Sequence, residues 1–294
     1  MRLCFIIEEK YRHESMPLAV AYQLRQWDHD VDLLEPHATV TRLFDLVTQS
    51  YDAYVLKTAS DGPGLSILEA AEAAGIPTIN NARSIRLVRD KAVAMAVARA
   101  HGLPIPPTYF VAHPRLLTQI PPEDYPLVVK PSNGSACRDI YRVTHPADLA
   151  TLALADDGHA FLLAQRYVAN PGFDIKLYVT GPQVYAVRKK SPLHPDENVR
   201  EGLMPVTPEL RTLALNVGKF FGLDIYGVDV VQTPAGWVGL DINDFPSFGG
   251  VPGAVALIAQ FILHVAQRAE RPRRRDPIGD ARAGLTDTES VPPK

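Results

Sequence analysis

Three oxygen-bearing side chains lie on two neighbouring segments that have the pattern of buried strands. Asp241 and Asn243 are two residues apart, so they emerge on one face of a strand, and Asp229 belongs to the strand before it. Mg²⁺ prefers hard oxygen ligands and completes its shell with water and phosphate. Because unpaired acids are costly to bury, the pattern favours a magnesium site over strand-end carboxylates that simply face solvent.

Lysines at two other places could neutralise phosphate groups. Lys130 ends an apolar strand and precedes a loop of small residues, 131–136, in which backbone N–H groups can approach a phosphate. Lys91 lies on a predicted helix. Each also has a plainer interpretation as a surface lysine, since long ammonium side chains commonly extend to solvent.

More polar residues occur along the strands that lead toward the proposed metal site. The segment 165–168 follows an apolar strand and could offer backbone groups to an adenine edge. Cationic side chains follow at Lys176, Arg188, Lys189 and Lys190. Charged runs usually form solvated faces, but the position of these strands makes the cations candidates for an anion site.

The composition excludes several classes of protein. The chain has 294 residues, 46% of them hydrophobic, and a formal net charge of −3, so we expect neither a basic nucleic-acid binder nor a polybasic membrane protein. No apolar run approaches the roughly 18 to 20 residues that span a bilayer, and the N-terminus lacks the features of a signal peptide. Two cysteines make neither a disulfide framework nor a zinc set, which predicts a cytoplasmic protein.

The elements that must position these residues alternate at first and then change character. Short apolar strands and helices over 1–83 predict a parallel, doubly wound βαβ domain. One strong helix is predicted over 84–100, and a proline-rich linker follows it. From residue 127 the pattern indicates strands and turns, followed by a capped helix over 207–221, two strands at 226–231 and 237–242, and a closing helix that ends near Arg268. The segment 271–294 lacks apolar periodicity and is predicted to be a disordered tail.

Taken in order, the motifs resemble those of the ATP-grasp superfamily over about residues 1–268. The resemblance is carried by Pro126-Leu127-Val128-Val129-Lys130-Pro131, by Gly227-Val228-Asp229 and by Asp241-Ile242-Asn243-Asp244-Phe245-Pro246. It implies an α/β (α+β) fold, in which an N-terminal parallel βαβ domain at 1–83 precedes two α+β subdomains at 84–270 that grip ATP. It also implies one or two Mg²⁺ ions on Asp229, Asp241 and Asn243.

The same resemblance implies roles for the other candidates. Lys176 and Arg188 would stabilise the charge of the transferring phosphoryl group. Lys91 and Lys130 would contact phosphates, and the segment 165–168 would hold adenine. The set expected to bind the nucleotide is Lys91, Lys130, Ser135, Gln165, Arg166, Tyr167, Val168 and Asp174.

Two branches of the superfamily compete for this sequence. Ribosomal-protein glutamate ligases of the RimK-like type are carboxylate–amine ligases that pass through an acyl phosphate. Val88-Arg89-Asp90-Lys91, Asp174-Ile175-Lys176 and Asn198-Val199-Arg200-Glu201-Gly202 resemble their motifs. Inositol 1,3,4-trisphosphate 5/6-kinases instead phosphorylate a hydroxyl on a polyphosphorylated ring. Gly134-Ser135-Ala136, the basic run 187–191 and Phe245-Pro246 after Asp241 resemble theirs.

We therefore expect a kinase that transfers the γ-phosphate of ATP to an inositol phosphate, with the carboxylate–amine ligase as the alternative. A small polyanionic acceptor needs many cations, because donor and acceptor are both heavily negative. The side chains expected to hold it are Arg12, His13, Lys57, Lys189, Lys190, Asn198 and Arg200. Asp90-Lys91 departs from the kinases' Asn-Arg pair and is typical of the ligases.

A non-catalytic nucleotide-binding module is the third hypothesis. A degenerate ATP-grasp fold is expected to lose a lysine or a metal carboxylate, whereas both lysines and all three metal positions are present here. The sequence therefore favours an enzyme, and it leaves the choice between a monomer and a homodimer open.

Overall fold

The computed structural model describes residues 1–13, 15–48, 51–57, 62–132, 140–152, 161–194 and 196–270. Ser135, which is one of the expected nucleotide-binding residues, and the segment 271–294, which is the predicted tail, lie outside these described residues.

The N-terminal part is built on a parallel sheet, as the alternating pattern predicts. Its strands are β1 (Arg2–Ile7), β2 (Asp30–Leu34), β3 (Ala53–Lys57) and β4 (Thr78–Ile79), in the order β2-β1-β3-β4. Its helices are α1 (Ser15–Gln26), α2 (Leu43–Thr48) and α3 (Pro63–Ala73). Apolar runs such as Leu3 to Ile7 are buried on both faces, because helices cover both sides of a parallel sheet. Lys57 is the last residue of β3, so it lies at the carboxyl edge of this sheet.

The predicted single helix over 84–100 is two helices, α4 (Ala82–Arg89) and α5 (Lys91–Ala100). Asp90 separates them with φ −82° and ψ 97°, which is an extended conformation. Its carboxylate accepts hydrogen bonds from the N–H groups of Ala92 and Val93 and so caps α5. The helical periodicity continues across the break, so the prediction missed it. The consequence is that Lys91 begins a helix.

A second sheet is antiparallel and follows α5. Its strands are β5 (Thr108–Val111), β6 (Leu127–Pro131), β7 (Tyr141–Val143) and β8 (Leu162–Arg166), in the order β5-β8-β6-β7. Val111, Leu127, Val129 and Ala164 are buried together in its core. Lys130 lies near the end of β6 and is itself buried.

The third sheet carries the candidate metal residues. Its antiparallel strands are β9 (Phe173–Thr180), β10 (Gln183–Lys190), β11 (Gly202–Met204), β12 (Ile225–Thr233) and β13 (Gly236–Asp244), in the order β11-β10-β9-β12-β13. Helix α6 (Pro208–Phe221) begins at the Thr207 cap and packs on one face. Helix α7 (Ala254–Glu270) packs on the other face, where it shares a core with α1 and the N-terminal sheet. No helix of the described part of the chain is long and apolar enough to cross a membrane.

Candidate active site

A cavity of about 520 Å³ lies between the second and third sheets and extends to the carboxyl edge of the N-terminal sheet. A volume of this size suits a small-molecule ligand. Its walls are formed by apolar side chains at one end, by lysines and carboxylates in the middle, and by residues of the N-terminal sheet at the other end.

Asp229 and Asp241 occupy the centre of this cavity. They are directly paired across β12 and β13, and Asn243 lies two residues further along β13 on the same face. Nζ of Lys176, on the neighbouring β9, donates to both carboxylate oxygens of Asp229 at 2.9 Å. Nζ of Lys91, at the start of α5, donates to Oδ2 of Asp241 at 2.5 Å. Two acids and two lysines therefore form one compact group of balanced charge.

The surrounding lysines keep Asp241 ionised. Burial opposes its ionisation, but the positive charges of Lys91 and then Lys130 outweigh burial and hold the pKa of the Asp241 carboxyl below its usual value. Asp241 is therefore a carboxylate at neutral pH.

These donors suit a hard divalent cation. Two carboxylates and the amide of Asn243 lie on one wall of the cavity, and oxygen ligands are what Mg²⁺ prefers. The described residues contain no group of three or more His, Cys, Asp and Glu side chains that could hold a metal. A cation bound here would therefore complete its shell with ligands that are not protein carboxylates or imidazoles, such as phosphate and water.

The apolar end of the cavity is a slot beside Lys130. Val128, Ile140, Val168 and Leu240 line it, and Nζ of Lys130 donates to the Leu240 carbonyl at 3.1 Å. A flat heterocycle fits between such apolar walls.

The segment 165–168 lies beside the slot, and two of its side chains are hydrogen-bonded within the protein. The buried Gln165 side chain donates from Nε2 to Oγ1 of Thr108 at 3.1 Å, which occupies its amide within the protein. The Tyr167 hydroxyl and Nε2 of His194 are hydrogen-bonded at 2.9 Å. The N–H groups of Arg166 and Tyr167 donate to the carbonyls of Pro107 and Pro126 at 2.9 and 2.8 Å, so these two backbone donors are already paired within the protein.

Asp174 is a buried acid on the same sheet face. It is 9% exposed and accepts a hydrogen bond from Nδ2 of Asn170 at 3.0 Å. Burial, followed by the negative charge of Asp229, raises the pKa of the Asp174 carboxyl to about 6.

Most of the residues predicted for the site line this one cavity. They are Lys57, Lys91, Lys130, Gln165, Arg166, Tyr167, Val168, Asp174, Lys176, Lys190, Asp229, Asp241 and Asn243.

Other predicted site residues do not line the cavity within the described part of the chain; they are Arg12, His13, Arg188, Lys189, Asn198 and Arg200. Nε of Arg12 is paired with Oε2 of Glu35 at 3.1 Å, and Nζ of Lys189 with Oε2 of Glu201 at 2.9 Å.

Arg188 departs most clearly from its predicted catalytic position. It pairs with Ile175 on β9, whereas Lys176 pairs with Val187, so Arg188 and Lys176 lie on opposite faces of the sheet. The Arg188 guanidinium carbon lies 4.7 Å from the centre of the Phe173 ring. The charged run 188–190 has no apolar alternation that would have shown this from sequence.

One contact at the N-terminal end of the cavity was missed by the sequence analysis. Nε of Arg89 pairs with Oδ1 of the buried Asp244 at 2.5 Å, and Nη1 of Arg89 lies 3.4 Å from the Tyr11 hydroxyl. All three residues line the cavity. The position of Asp244 directly after Asn243 was the sequence feature that could have identified it as a residue of this cavity.

Comparison with known proteins agrees with this architecture. Residues 88–256 match the RimK-like ATP-grasp domain family. A probable alpha-L-glutamate ligase of Aeromonas salmonicida (strain A449) is 26% identical over 303 aligned residues, covering 92% of this chain and 99% of that protein. Probable alpha-L-glutamate ligase 2 of Shewanella sp. (strain MR-4) is 28% identical over 225 residues, covering 71% of this chain and 75% of that protein. The crystal structure of a RimK domain protein from Sphaerobacter thermophilus has a similar fold, with a TM-score of 0.70 at 16% identity. The match covers 89% of this chain and 99% of that one.

Because the family match covers more than half of the chain, this protein belongs to the RimK-like ATP-grasp family and is an enzyme of the ATP-grasp type. The resemblance to the superfamily, its RimK-like features and the predicted fold class are confirmed. The expected inositol phosphate kinase gains no support from these proteins, whereas the ligase alternative agrees with them.

Proposed function

We propose that this protein is an ATP-dependent carboxylate–amine ligase. The observation that carries the proposal is the group formed by Asp229, Asp241, Lys176 and Lys91 in a cavity of nucleotide size, within a chain of the RimK-like family. Two of the cations expected for a polyphosphate acceptor, Arg12 and Lys189, are paired with acids that do not line the cavity. Their positions argue against a site for a highly charged inositol phosphate.

The reaction has two steps. An oxygen of the substrate carboxylate attacks the γ-phosphorus of ATP, and the bond from that phosphorus to the bridging β-phosphate oxygen breaks. The products of this step are ADP and an acyl phosphate. The amine then attacks the acyl carbon, an amide forms, and inorganic phosphate leaves while the amine loses a proton.

The central group of side chains would bind and orient the phosphates. Asp229, Asp241 and Asn243 would hold Mg²⁺, which supplies charge neutralisation at the phosphate oxygens when bound. Lys91 and Lys130 would neutralise phosphate charge, and Lys176, which lines the same cavity, would stabilise charge on the transferring group. Lys91 and Lys176 are held in position by Asp241 and Asp229, so they would be oriented before the phosphates bind.

The two ends of the cavity would bind the adenine and the carboxylate substrate. The slot of Val128, Ile140 and Leu240 suits the adenine ring, with the backbone of 166–168 at its edge. At the opposite end Lys10 and Lys190 line the cavity and would attract an acidic substrate. The names of the two ligase relatives include L-glutamate, and we propose it as the amine substrate of this protein.

An isotope experiment tests this function. The protein is incubated with Mg-ATP, L-glutamate and a peptide whose carboxylates carry ¹⁸O, and phosphate and products are analysed by mass spectrometry. A ligase transfers one ¹⁸O into released phosphate and joins the two substrates with loss of water. Asp241→Asn is the inactive control. Phosphate retained on a hydroxyl acceptor, with no amide product, would contradict the proposal.

A further inference from the structure

A second cavity, of about 660 Å³, lies between helix α7 and the turn that joins β9 to β10. It shares no lining residue with the candidate active site. Its walls combine a few polar groups with apolar side chains, which is the usual make-up of a small-molecule site. The lining residues that matter here are Thr180, Asp224, Phe261, His264 and Arg268.

Thr180 lines this cavity and carries a buried hydroxyl. The residue is 2% exposed, and its Oγ1 has no hydrogen-bond partner among the described residues. It pairs with Ile225 and Gln183 at the end of β9, so the strand ladder holds its position. A buried hydroxyl without a partner costs about 1–3 kcal/mol, and a ligand that completes its hydrogen bond recovers that cost.

Asp224 supplies an acid at the same wall. Its carbonyl accepts the N–H of Gly181 at 2.9 Å, and its own N–H donates to Oδ1 of Asn80 at 2.8 Å. These bonds fix the backbone, while the carboxylate has no hydrogen bond or ion pair within the described part of the chain. Burial raises the pKa of the Asp224 carboxyl, which is the effect expected of an acid with no compensating charge.

Helix α7 forms the facing wall and brings basic groups. His264 and Arg268 are one helical turn apart, and both line the cavity. Neither forms an ion pair within residues 196–270 or the other described ranges. The ring of Phe261 packs directly against Gly181, where a Cβ would clash with it. An acid and a base therefore face one cavity without contacting each other.

We propose that this cavity binds a free α-amino acid, with its ammonium group on Asp224 and Thr180 and its carboxylate on Arg268. Asp224 is half-buried and Arg268 is exposed. A zwitterion can place its ammonium group on the acid and form a charge-assisted hydrogen bond to the guanidinium, whereas a ligand with a single charge can do only one of the two. The apolar side chains of Leu257 and Phe261 would contact the amino acid's own side chain.

Titration calorimetry on the full chain tests the proposal, with L-leucine as the probe and without ATP, because its apolar side chain matches Leu257 and Phe261. Asp224→Asn and Arg268→Gln should each weaken binding at least about tenfold, or about 1.4 kcal/mol. Thr180→Val, which keeps the shape and removes the hydroxyl, should weaken it by a smaller factor. Two variants at exposed positions away from the cavity, Glu209→Gln and Arg83→Gln, should bind like the wild type.

Further binding measurements distinguish this cavity from the candidate active site. Asp241→Asn should keep the binding, since Asp241 does not line the second cavity. n-Butylamine and butyrate, which each carry half of the charge pattern, should bind at least about tenfold more weakly than the amino acid. Absence of binding to the wild type up to about 10 mM would overturn the proposal. Wild-type affinity in both Asp224→Asn and Arg268→Gln would overturn it as well.

Discussion

Asp229 and Asp241 face each other residue for residue across β12 and β13, and each carboxylate holds a different lysine. Lys176 reaches Asp229 along the sheet, because the two residues are also paired across β9 and β12. Lys91 reaches Asp241 from the first turn of α5. Ion pairs at the centre of the cavity thus join β9 to β12 and α5 to β13. Changes to these charges should alter both activity and stability.

Asp241→Asn should lower ATP turnover by about 10²–10³-fold, because it removes an ionised oxygen donor from the phosphate-binding group. It should also lower the free energy of unfolding by about 1–3 kcal/mol, since Lys91 has only 15% side-chain exposure and loses its counter-charge. Phosphate release and urea unfolding measure the two effects.

A double variant separates the two effects of Asp241. Lys91→Met combined with Asp241→Asn should recover part of the lost stability, because no unpaired ammonium remains. It should not recover turnover. Recovery of both quantities would show that Asp241 acts only through its ion pair.

Lys176 and Arg188 should differ in their contribution to turnover, although both are cations on neighbouring strands. Lys176→Met should lower turnover about 100-fold, because Lys176 lines the cavity beside Asp229. Arg188→Met should change it by no more than about twofold, since Arg188 lies on the opposite sheet face. Steady-state rates at saturating ATP provide the comparison, and equal losses in both variants would place Arg188 at the reaction.

The raised pKa of Asp174 predicts a pH-dependent stability. The folded-state pKa is about 6, above the unfolded value of about 3.9, so the folded state binds the proton more tightly. Stability contributed by the protonated carboxyl is therefore present below about pH 4 and is lost as the pH rises through about 6. Asp174→Asn should raise the free energy of unfolding by about 1–3 kcal/mol at pH 7 and change it little at pH 4.

The Asp174→Asn variant keeps its hydrogen bond, because an asparagine carbonyl can still accept from Asn170. Asp196→Asn, at an exposed position, is the matched control. Urea unfolding from pH 4 to pH 8 gives the comparison. A constant difference between Asp174→Asn and the wild type across this range would refute the expected linkage.

Lys57 should contribute to stability more than Arg12 does, although both were expected to bind substrate. Nζ of Lys57 donates to the Phe245 carbonyl at 2.5 Å and lies 4.7 Å from the centre of the Tyr11 ring. Lys57→Met should lower the free energy of unfolding by about 1–2 kcal/mol. Arg12→Met loses only an exposed pair with Glu35 and should stay within about 0.5 kcal/mol of the wild type. Equal free energies of unfolding in the two variants would show that the Lys57 contacts contribute nothing to stability.

The sequence was sufficient where a pattern and its consequence are local. Asp241 and Asn243 are two residues apart on a strand, so their shared face follows from the alternation of side chains. Asp229 lies on the preceding strand, which a tight turn joins to theirs. The buried parallel strands of the N-terminal sheet were predictable from continuous apolar runs, which are also local patterns. The break at Asp90 was not visible, because helical periodicity continues through it while an aspartate cap redirects the backbone.

Which of the many cations reach one cavity was decided only by the tertiary structure. Lys91 and Asp241 are 150 positions apart and meet through the packing of α5 on the third sheet. Arg188 is excluded because the register of β9 and β10 pairs it with Ile175. Register and helix packing depend on contacts between distant residues, and a charged run without apolar alternation carries no local signal of its face. The residue types for phosphate chemistry are therefore present in the sequence, and their selection into one site comes from the fold.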